Sequence, residues 1–265
     1  MNLWNTIPGM CEEIPTITAY TPDTKTSDGA VVILPGGGYR IRAPHEGKRY
    51  AEFLADNGIT SFVVDYRVSP HRFPLPLLDA RRGVQFVRFF ADKYDIDKSK
   101  IAIMGSSAGG HLAALTSTYF KDIDTDTPAD EIDKEDFVPN AQILCYPVIK
   151  LLEERIAHIG SGQNLLGDMR DALAKDLEPN TLVTDKTPPA FIWHTHADEG
   201  VNVINSLEYT KSLKNNGVDA ELHVFPHGGH GLGLTDHITE TDPKILRHVS
   251  QWSELLITWL KYIGF

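Results

Sequence analysis

Residues Ile101–Leu115 read "IAIMGSSAGGHLAAL": a short apolar run, two adjacent serines among glycines, then a helix-forming run. Gly105-Ser106-Ser107-Ala108-Gly109 fits G-x-S-x-G with Ser107 at its centre, directly after a predicted strand and before a predicted helix. That setting gives the pattern its meaning, because a nucleophile on a tight strand-to-helix turn needs small neighbours two residues to either side. The helix start beneath Ser107 would supply unpaired N–H groups and a partial positive charge. Ser106, at an x position, should point away from the tip. A serine that merely caps the helix is the bland alternative. Phosphate loops fit worse: neither this stretch nor "PGGGYR" contains G-x-x-x-x-G-K-[ST] or a dinucleotide-binding G-x-G-x-x-G.

Around this turn the chain alternates short apolar runs with longer amphipathic ones. "AVVIL" (Ala30–Leu34) predicts a strand that ends in a glycine-rich loop, and "GKRYAEFLADNG" a helix stopped by Asn57-Gly58. "ITSFVVDYR" is rich in β-branched and aromatic residues and predicts a strand. Leu77–Tyr94 reads as a helix, "KIAIMG" as a strand and Ser107–Phe120 as a helix. "AQILCYP" and "PPAFIWHT" continue as strands, followed by a helix near Val203–Asn215, the strand "AELHVFP" and a closing helix over Ile245–Tyr262. "TITAY" would add an edge strand. This alternation implies parallel βαβ units and a mostly parallel sheet with helices on both faces, within one domain over residues 1–265. About forty residues, 149–187, break the rhythm where a crossover needs far fewer. They predict a small helical lid over the strands' C-terminal edge, where open α/β sheets bind ligands. An ornamental insertion is the alternative.

A serine hydroxyl needs a base. "HVFPHGGHGLGL" offers His223, His227 and His230. His223 lies inside a strand, and His230 reaches further over the turn than His227. "HTHADEGVN" offers Asp198, nearer the strand end, with Glu199 as alternate, to orient the imidazole. The order Ser107, Asp198, His230 is the Ser…Asp…His order of α/β-hydrolases. "LPGGGYR" follows another strand, so the N–H groups of Gly37 and Gly38, with that of Ala108, are the candidate oxyanion hole. Tyr39 and Tyr146 flank these loops and could line a substrate pocket, although Tyr146 fits core packing equally well.

The stretches "ILPGGGY", "HEGKRYAEFLADNGI", "DYRVSP", "DARRGVQFVR", "GSSAGGHLAA", "TPPAFIWHTHADEGVN" and "ELHVFPHGGHGLGL" together resemble α/β-hydrolase serine esterases of the acetyl esterase and acetyl xylan esterase kind, related to hormone-sensitive-lipase-like esterases. The likeness runs from about Leu34 to Leu234. It departs from the wider HGGG loop at Pro35, which stands in place of histidine. The resemblance implies an α/β-hydrolase fold and removal of acetyl groups from acetylated sugars or xylo-oligosaccharides, without metal or other cofactor, with Ser107, Asp198 and His230 as the triad. A general short-chain carboxylesterase or lipase-like esterase is the nearest alternative. Two rivals come from other classes. A metal hydrolase could use His194 and His196 with Asp198, or His227 with His230. A catalytically silent binding protein could share the fold.

Composition bounds the rest. With 25 basic against 36 acidic residues the net charge is −11, which disfavours nucleic acid, whose phosphates call for a basic patch. No apolar stretch approaches the ~20 residues of a membrane span. Two cysteines cannot form a disulfide framework; Cys145, in "AQILCYP", reads as a small core residue and Cys11 is unplaced. The start lacks a basic, then apolar, leader, so a cytoplasmic location is expected. The expected partner is a small-molecule ester, with no nucleic acid and no membrane; a homo-oligomer is compatible with the chain.

Overall fold

The structure is a computed structural model describing every residue except Met10, Cys11 and Glu154; the expectation for Cys11 therefore lies outside the described residues. Seven strands form one sheet: β1 (Thr16–Tyr20), β2 (Ala30–Leu34), β3 (Thr60–Asp65), β4 (Ile101–Ser106), β5 (Ala141–Cys145), β6 (Ala190–Thr195) and β7 (Ala220–Phe225), in spatial order β1-β3-β2-β4-β5-β6-β7. Only β1 runs antiparallel, on the edge beside β3. The alternation in sequence thus becomes the parallel sheet it predicted, with "TITAY" as its edge strand.

Each central strand is buried on both faces and sends alternate residues to two cores. From β2, Ala30, Val32 and Leu34 join one cluster while Val31 and Ile33 join the other. The first cluster is closed by α2 (Leu75–Phe89), α3 (Ser107–Thr116) and α6 (Ile204–Asn215), through residues such as Leu77, Leu112 and Tyr209. The second is closed by α1 (Lys48–Asp56) and, near the C-terminus, α7 (Pro243–Val249) and α8 (Gln251–Tyr262), through Leu54, Val249, Trp252 and Leu256. Burying each such aliphatic side chain contributes about 1.5–3 kcal/mol, and both faces are needed because neither is polar. Cys145 lies in the second core, fully buried.

The helices α1 and α6 end where expected, while two others differ from their predicted extents for local reasons. The helix expected over Ser107–Phe120 stops at Thr116. The hydroxyls of Thr116, Ser117 and Thr118 each donate to the carbonyl four residues back, at 2.7–2.8 Å, competing with the amides that would extend the helix. The single closing helix expected over Ile245–Tyr262 is two, broken at Ser250, whose carbonyl accepts from both the amide and the hydroxyl of Ser253.

Between β5 and β6, the described residues of 149–187 include short helices, among them α4 (Ile159–Leu166) and α5 (Arg170–Leu173), and no strand or long crossover helix. Chain direction reverses between β2 and β4: β2 leads outward to β3, and α2 carries the chain back over β2 to β4. At such a switch point two loops diverge from adjacent C-terminal strand ends and leave a crevice. Register pairs Leu34 with Gly105, Ser106 with Cys145 and Thr195 with Phe225, so the loops after β2, β4, β6 and β7 leave the sheet along one edge.

Candidate active site

Ser107 begins α3 with φ +52°, a left-handed conformation rare for a residue with a Cβ. The turn is possible because its flanks are bare. A Cβ on Gly105 would lie 2.1 Å from the Gly109 carbonyl oxygen, and one on Gly109 would lie 2.1 Å from that of Leu34. Both glycines are therefore required by close backbone approach, as the G-x-S-x-G spacing implies.

Three side chains from three strand ends meet here. His230 Nε2 lies 2.8 Å from Ser107 Oγ, and His230 Nδ1 lies 2.7 Å from Asp198 Oδ2. A carboxylate only accepts, so Nδ1 carries the proton and Nε2 presents its lone pair to the serine hydroxyl. Asp198 is itself fixed. Its Oδ1 accepts from the amides of Gly200 and Val201 at 2.8 and 2.9 Å, and its Oδ2 lies 3.3 Å from His194 Nε2. Burial alone would raise its pKa, but the hydrogen bonds from His194 and His230, the charge of His230 and the Val201 amide outweigh it and hold the carboxyl well below the usual range. Asp198 thus stays an acceptor, and its hydrogen bond keeps His230 in the tautomer that can take a proton from Ser107.

On the opposite wall, after β2, Gly37 has φ +124° and Gly38 φ +66°, and a Cβ on Gly37 would strike the Ile41 carbonyl oxygen at 2.3 Å. The Gly36 carbonyl accepts from Ala43 at 2.8 Å, and that of Gly37 from Arg40 and Ile41 at 3.1 and 3.2 Å. In a trans peptide the N–H points opposite to the preceding carbonyl, so these bonds fix the directions of the Gly37 and Gly38 N–H groups. Among the described residues neither N–H has an acceptor. Both glycines line the same cavity as Ser107 and His230, a space of about 600 Å³. Ala108, buried at the first turn of α3, adds an N–H of the kind that helix starts leave unpaired.

The other sequence candidates fall elsewhere. Tyr39 and Tyr146 are a correction: both are buried and neither lines the cavity. Each spends its hydroxyl inside the protein, Tyr39 on His111 Nδ1 at 2.8 Å and Tyr146 on Glu46 Oε1 at 2.7 Å, so core packing claims them. Glu199 and His196 are exposed, and His227 lines a different cavity, beside Ile245 and His248. His223 is paired with Glu221 at 2.7 Å on β7. His194 is buried, with Nε2 2.9 Å from the Val201 carbonyl and Nδ1 2.8 Å from Ser206 Oγ, so both ring nitrogens are engaged by protein. Among the described residues no three His, Cys, Asp or Glu side chains are grouped to hold a metal ion.

Sequence reasoning missed two residues. His158, at the start of α4, lines the cavity. Its Nδ1 accepts from the Ser161 amide at 3.2 Å, which leaves the proton on Nε2, and burial and the neighbouring His230 lower its pKa. Glu46 lines the cavity although its side chain is almost wholly buried. A histidine inside an irregular insertion and a glutamate before a helix have no periodic signal to mark them.

The model of the family described as BD-FAE matches residues 17–213. The chain belongs to the BD-FAE family. This BD-FAE chain is similar in structure to an acetyl ester-xyloside bifunctional hydrolase from Caldicellulosiruptor lactoaceticus, at 40% identity and a TM-score of 0.90, covering 100% of this chain and 96% of that one. The shared architecture is the α/β-hydrolase fold. In sequence it is 35% identical to endo-1,4-beta-xylanase B of Butyrivibrio fibrisolvens over 84% of its own length, and 32% identical to an acetylxylan esterase of Xylanibacter ruminicola over 85%. The BD-FAE chain spans 35% and 45% of those two proteins, less than half of either.

Proposed function

We propose that this chain is a serine-dependent carboxylic ester hydrolase that removes acetyl groups from acetylated sugars or xylo-oligosaccharides. The observation that carries the proposal is the hydrogen-bonded line Asp198–His230–Ser107 facing two unaccepted N–H groups, those of Gly37 and Gly38, across one cavity.

In the proposed cycle Ser107 Oγ attacks the ester carbonyl while His230 Nε2 takes the hydroxyl proton. Asp198 stabilises the imidazolium. The carbonyl oxygen becomes an oxyanion held by the N–H groups of Gly37, Gly38 and Ala108, each such donor contributing about 3 kcal/mol to the transition state. His230 then protonates the leaving sugar oxygen, and water, deprotonated by His230, attacks the acetyl-enzyme and releases acetate.

The acetylated sugar is the finer part of the proposal. In its support, the cavity wall carries polar groups suited to sugar hydroxyls: the Nε2–H of His158, Gln163 and Asn164. The likeness to proteins named acetylxylan esterase and acetyl ester-xyloside hydrolase supports the same class. We further propose that the 149–187 insertion is a cap within a single 1–265 domain. Three of those wall residues belong to it, and Asn164 Nδ2 donates to the Gly38 carbonyl at 2.8 Å, tying cap to glycine loop.

The test compares wild type with Ser107→Ala on 4-nitrophenyl acetate, a longer-chain ester and acetylated xylose, with chelator present. Acetyl-selective turnover that vanishes in the variant and ignores chelator is expected. Activity persisting in Ser107→Ala would sink the serine, and equal rates on acetyl and longer esters would return the substrate to the general short-chain class.

A further inference from the structure

The proposed chemistry needs two loops set against each other to within a fraction of an ångström: the glycine loop that would hold the oxyanion and the loop that carries His230. They belong to different strands, β2 and β7, separated along the sheet by three others. Between them lies a single turn, Pro44–Glu46, from which side chains reach both.

Glu46 is 2% exposed, an unusual place for a carboxylate. Its Oε2 accepts from the Gly36 amide at 2.8 Å, and its Oε1 accepts from the Tyr146 hydroxyl at 2.7 Å. Tyr146 in turn accepts from the Gly233 amide at 2.9 Å, and its ring meets that of His230 edge-on with centroids 5.1 Å apart. The neighbouring His45 places Nε2 2.9 Å from the Gly231 carbonyl. His230 is therefore bracketed: the residue after it is held by His45, and the residue three after it by Tyr146, which Glu46 holds. The same carboxylate fixes Gly36, the residue before the first free N–H. A Cβ on Gly36 would lie 2.5 Å from Glu46 Oε2 and 3.1 Å from Ser107 Cβ, so only a glycine fits between the carboxylate and the serine turn.

We infer that Glu46, acting through Tyr146, is a positioning residue that locks the glycine loop and the His230 loop into one catalytic register. The inference rests on the serine-esterase proposal. It assigns Glu46 and Tyr146 no contact with substrate or proton in flight; they hold the groups that would make those contacts. A glutamate fits because it offers two acceptor oxygens, one taken by the Gly36 amide and the other by the Tyr146 hydroxyl that reaches the His230 loop, where an amide offers only one.

The test measures steady-state kinetics on 4-nitrophenyl acetate for Tyr146→Phe, Glu46→Gln, Glu46→Ala and the double variant of Tyr146→Phe with Glu46→Gln, together with the rate at which an organophosphate labels Ser107. Phosphorylation of the serine builds charge on the same oxyanion donors without needing ester turnover. Expected for Tyr146→Phe, which keeps the ring and its packing, is a fall in kcat of roughly tenfold or more with KM within about twofold, and a parallel fall in labelling rate. Glu46→Gln keeps an acceptor for the Gly36 amide, so it should retain more activity than Glu46→Ala. The double variant should be little worse than Tyr146→Phe, as expected of two residues in one linkage. A kcat in Tyr146→Phe and Glu46→Gln within twofold of wild type, or a loss confined to KM, would overturn the positioning role. Should Glu46→Ala fail to fold, the near-isosteric Tyr146→Phe still decides the matter. Failure of the organophosphate to label Ser107 in wild type would instead remove the underlying proposal, and is read from the mass of the labelled peptide.

Discussion

At the scale of single residues the site contains groups of two kinds. Ser107, Asp198 and His230 could be picked out in the sequence because a nucleophile, an acid and an imidazole each follow a strand, and strands of a parallel sheet end on one edge. The structure brings them within hydrogen-bond distance. His158 and Glu46 were illegible for a physical reason: their importance comes from what folds against them, not from their neighbours in sequence. His158 offers a sharp test of the sugar assignment. His158 lines the cavity; its Nδ1 is occupied by Ser161, and its Nε2–H meets no acceptor among the described residues. A hydrogen bond from that group to a sugar hydroxyl would contribute about 1 kcal/mol. His158→Ala should therefore lower kcat/KM on acetylated xylose about fivefold, mostly through KM, while 4-nitrophenyl acetate, which has no sugar, changes less than twofold. Parallel kinetics on the two substrates check this, and equal losses on both would place His158 in support of the fold instead.

Among the elements, the strands were legible, as were the ends of α1 and α6, but the end of α3 and the break between α7 and α8 were not. Strand runs such as "AVVIL" are apolar throughout because both faces are covered, whereas the end of α3 depends on three hydroxyls turning back onto carbonyls. The insertion was visible only as a length too great for a crossover. How it is fastened required the structure, and one fastening has a measurable signature. His111, in α3, is fully buried, with Nε2 donating to the Leu177 carbonyl of the insertion at 2.9 Å and Nδ1 accepting from Tyr39 at 2.8 Å. Burial pushes its pKa down to about 4, against the opposing pull of the Leu177 carbonyl and the Glu178 charge. The sign follows from linkage. Above pH ~6.5 the ring is neutral folded and unfolded. Between about 6.5 and 4 the unfolded chain takes up a proton that the folded one refuses, so stability falls as pH falls, by about 3 kcal/mol in all, and the slope vanishes below the folded value. Denaturant titrations at pH 7, 5.5 and 4.5 should show this decline in wild type and a shallower one in His111→Asn, whose amide cannot be protonated in that range. Identical slopes would mean that the ring does not stay neutral when folded.

For the molecule as a whole, the sheet edge that builds the site is one end of a structure whose other parts hold by buried ion pairs as well as by apolar packing. Arg67, just beyond β3, and Asp79, in α2, are both fully buried. Asp79 Oδ2 accepts from the Arg67 amide and Nε at 2.9 and 2.8 Å, while Oδ1 accepts from Arg67 Nη2 and from Trp4 Nε1, both at 2.7 Å. One carboxylate thus joins the sheet, the helix that carries the chain back to β4, and the N-terminal segment. Four donors on two oxygens offset much of the cost of burying the charge, but only while the set is complete. Asp79→Ala would leave the Arg67 guanidinium buried opposite a void, a loss of about 3–5 kcal/mol. Against a total stability of roughly 5–15 kcal/mol, that is a large share. The urea midpoint should drop accordingly. Because Arg67 and Asp79 lie outside the cavity that holds Ser107, the variant that remains folded at low temperature should hydrolyse 4-nitrophenyl acetate with a KM close to that of wild type. A KM that rose along with the loss of stability would show that the pair shapes the site and does more than hold the fold.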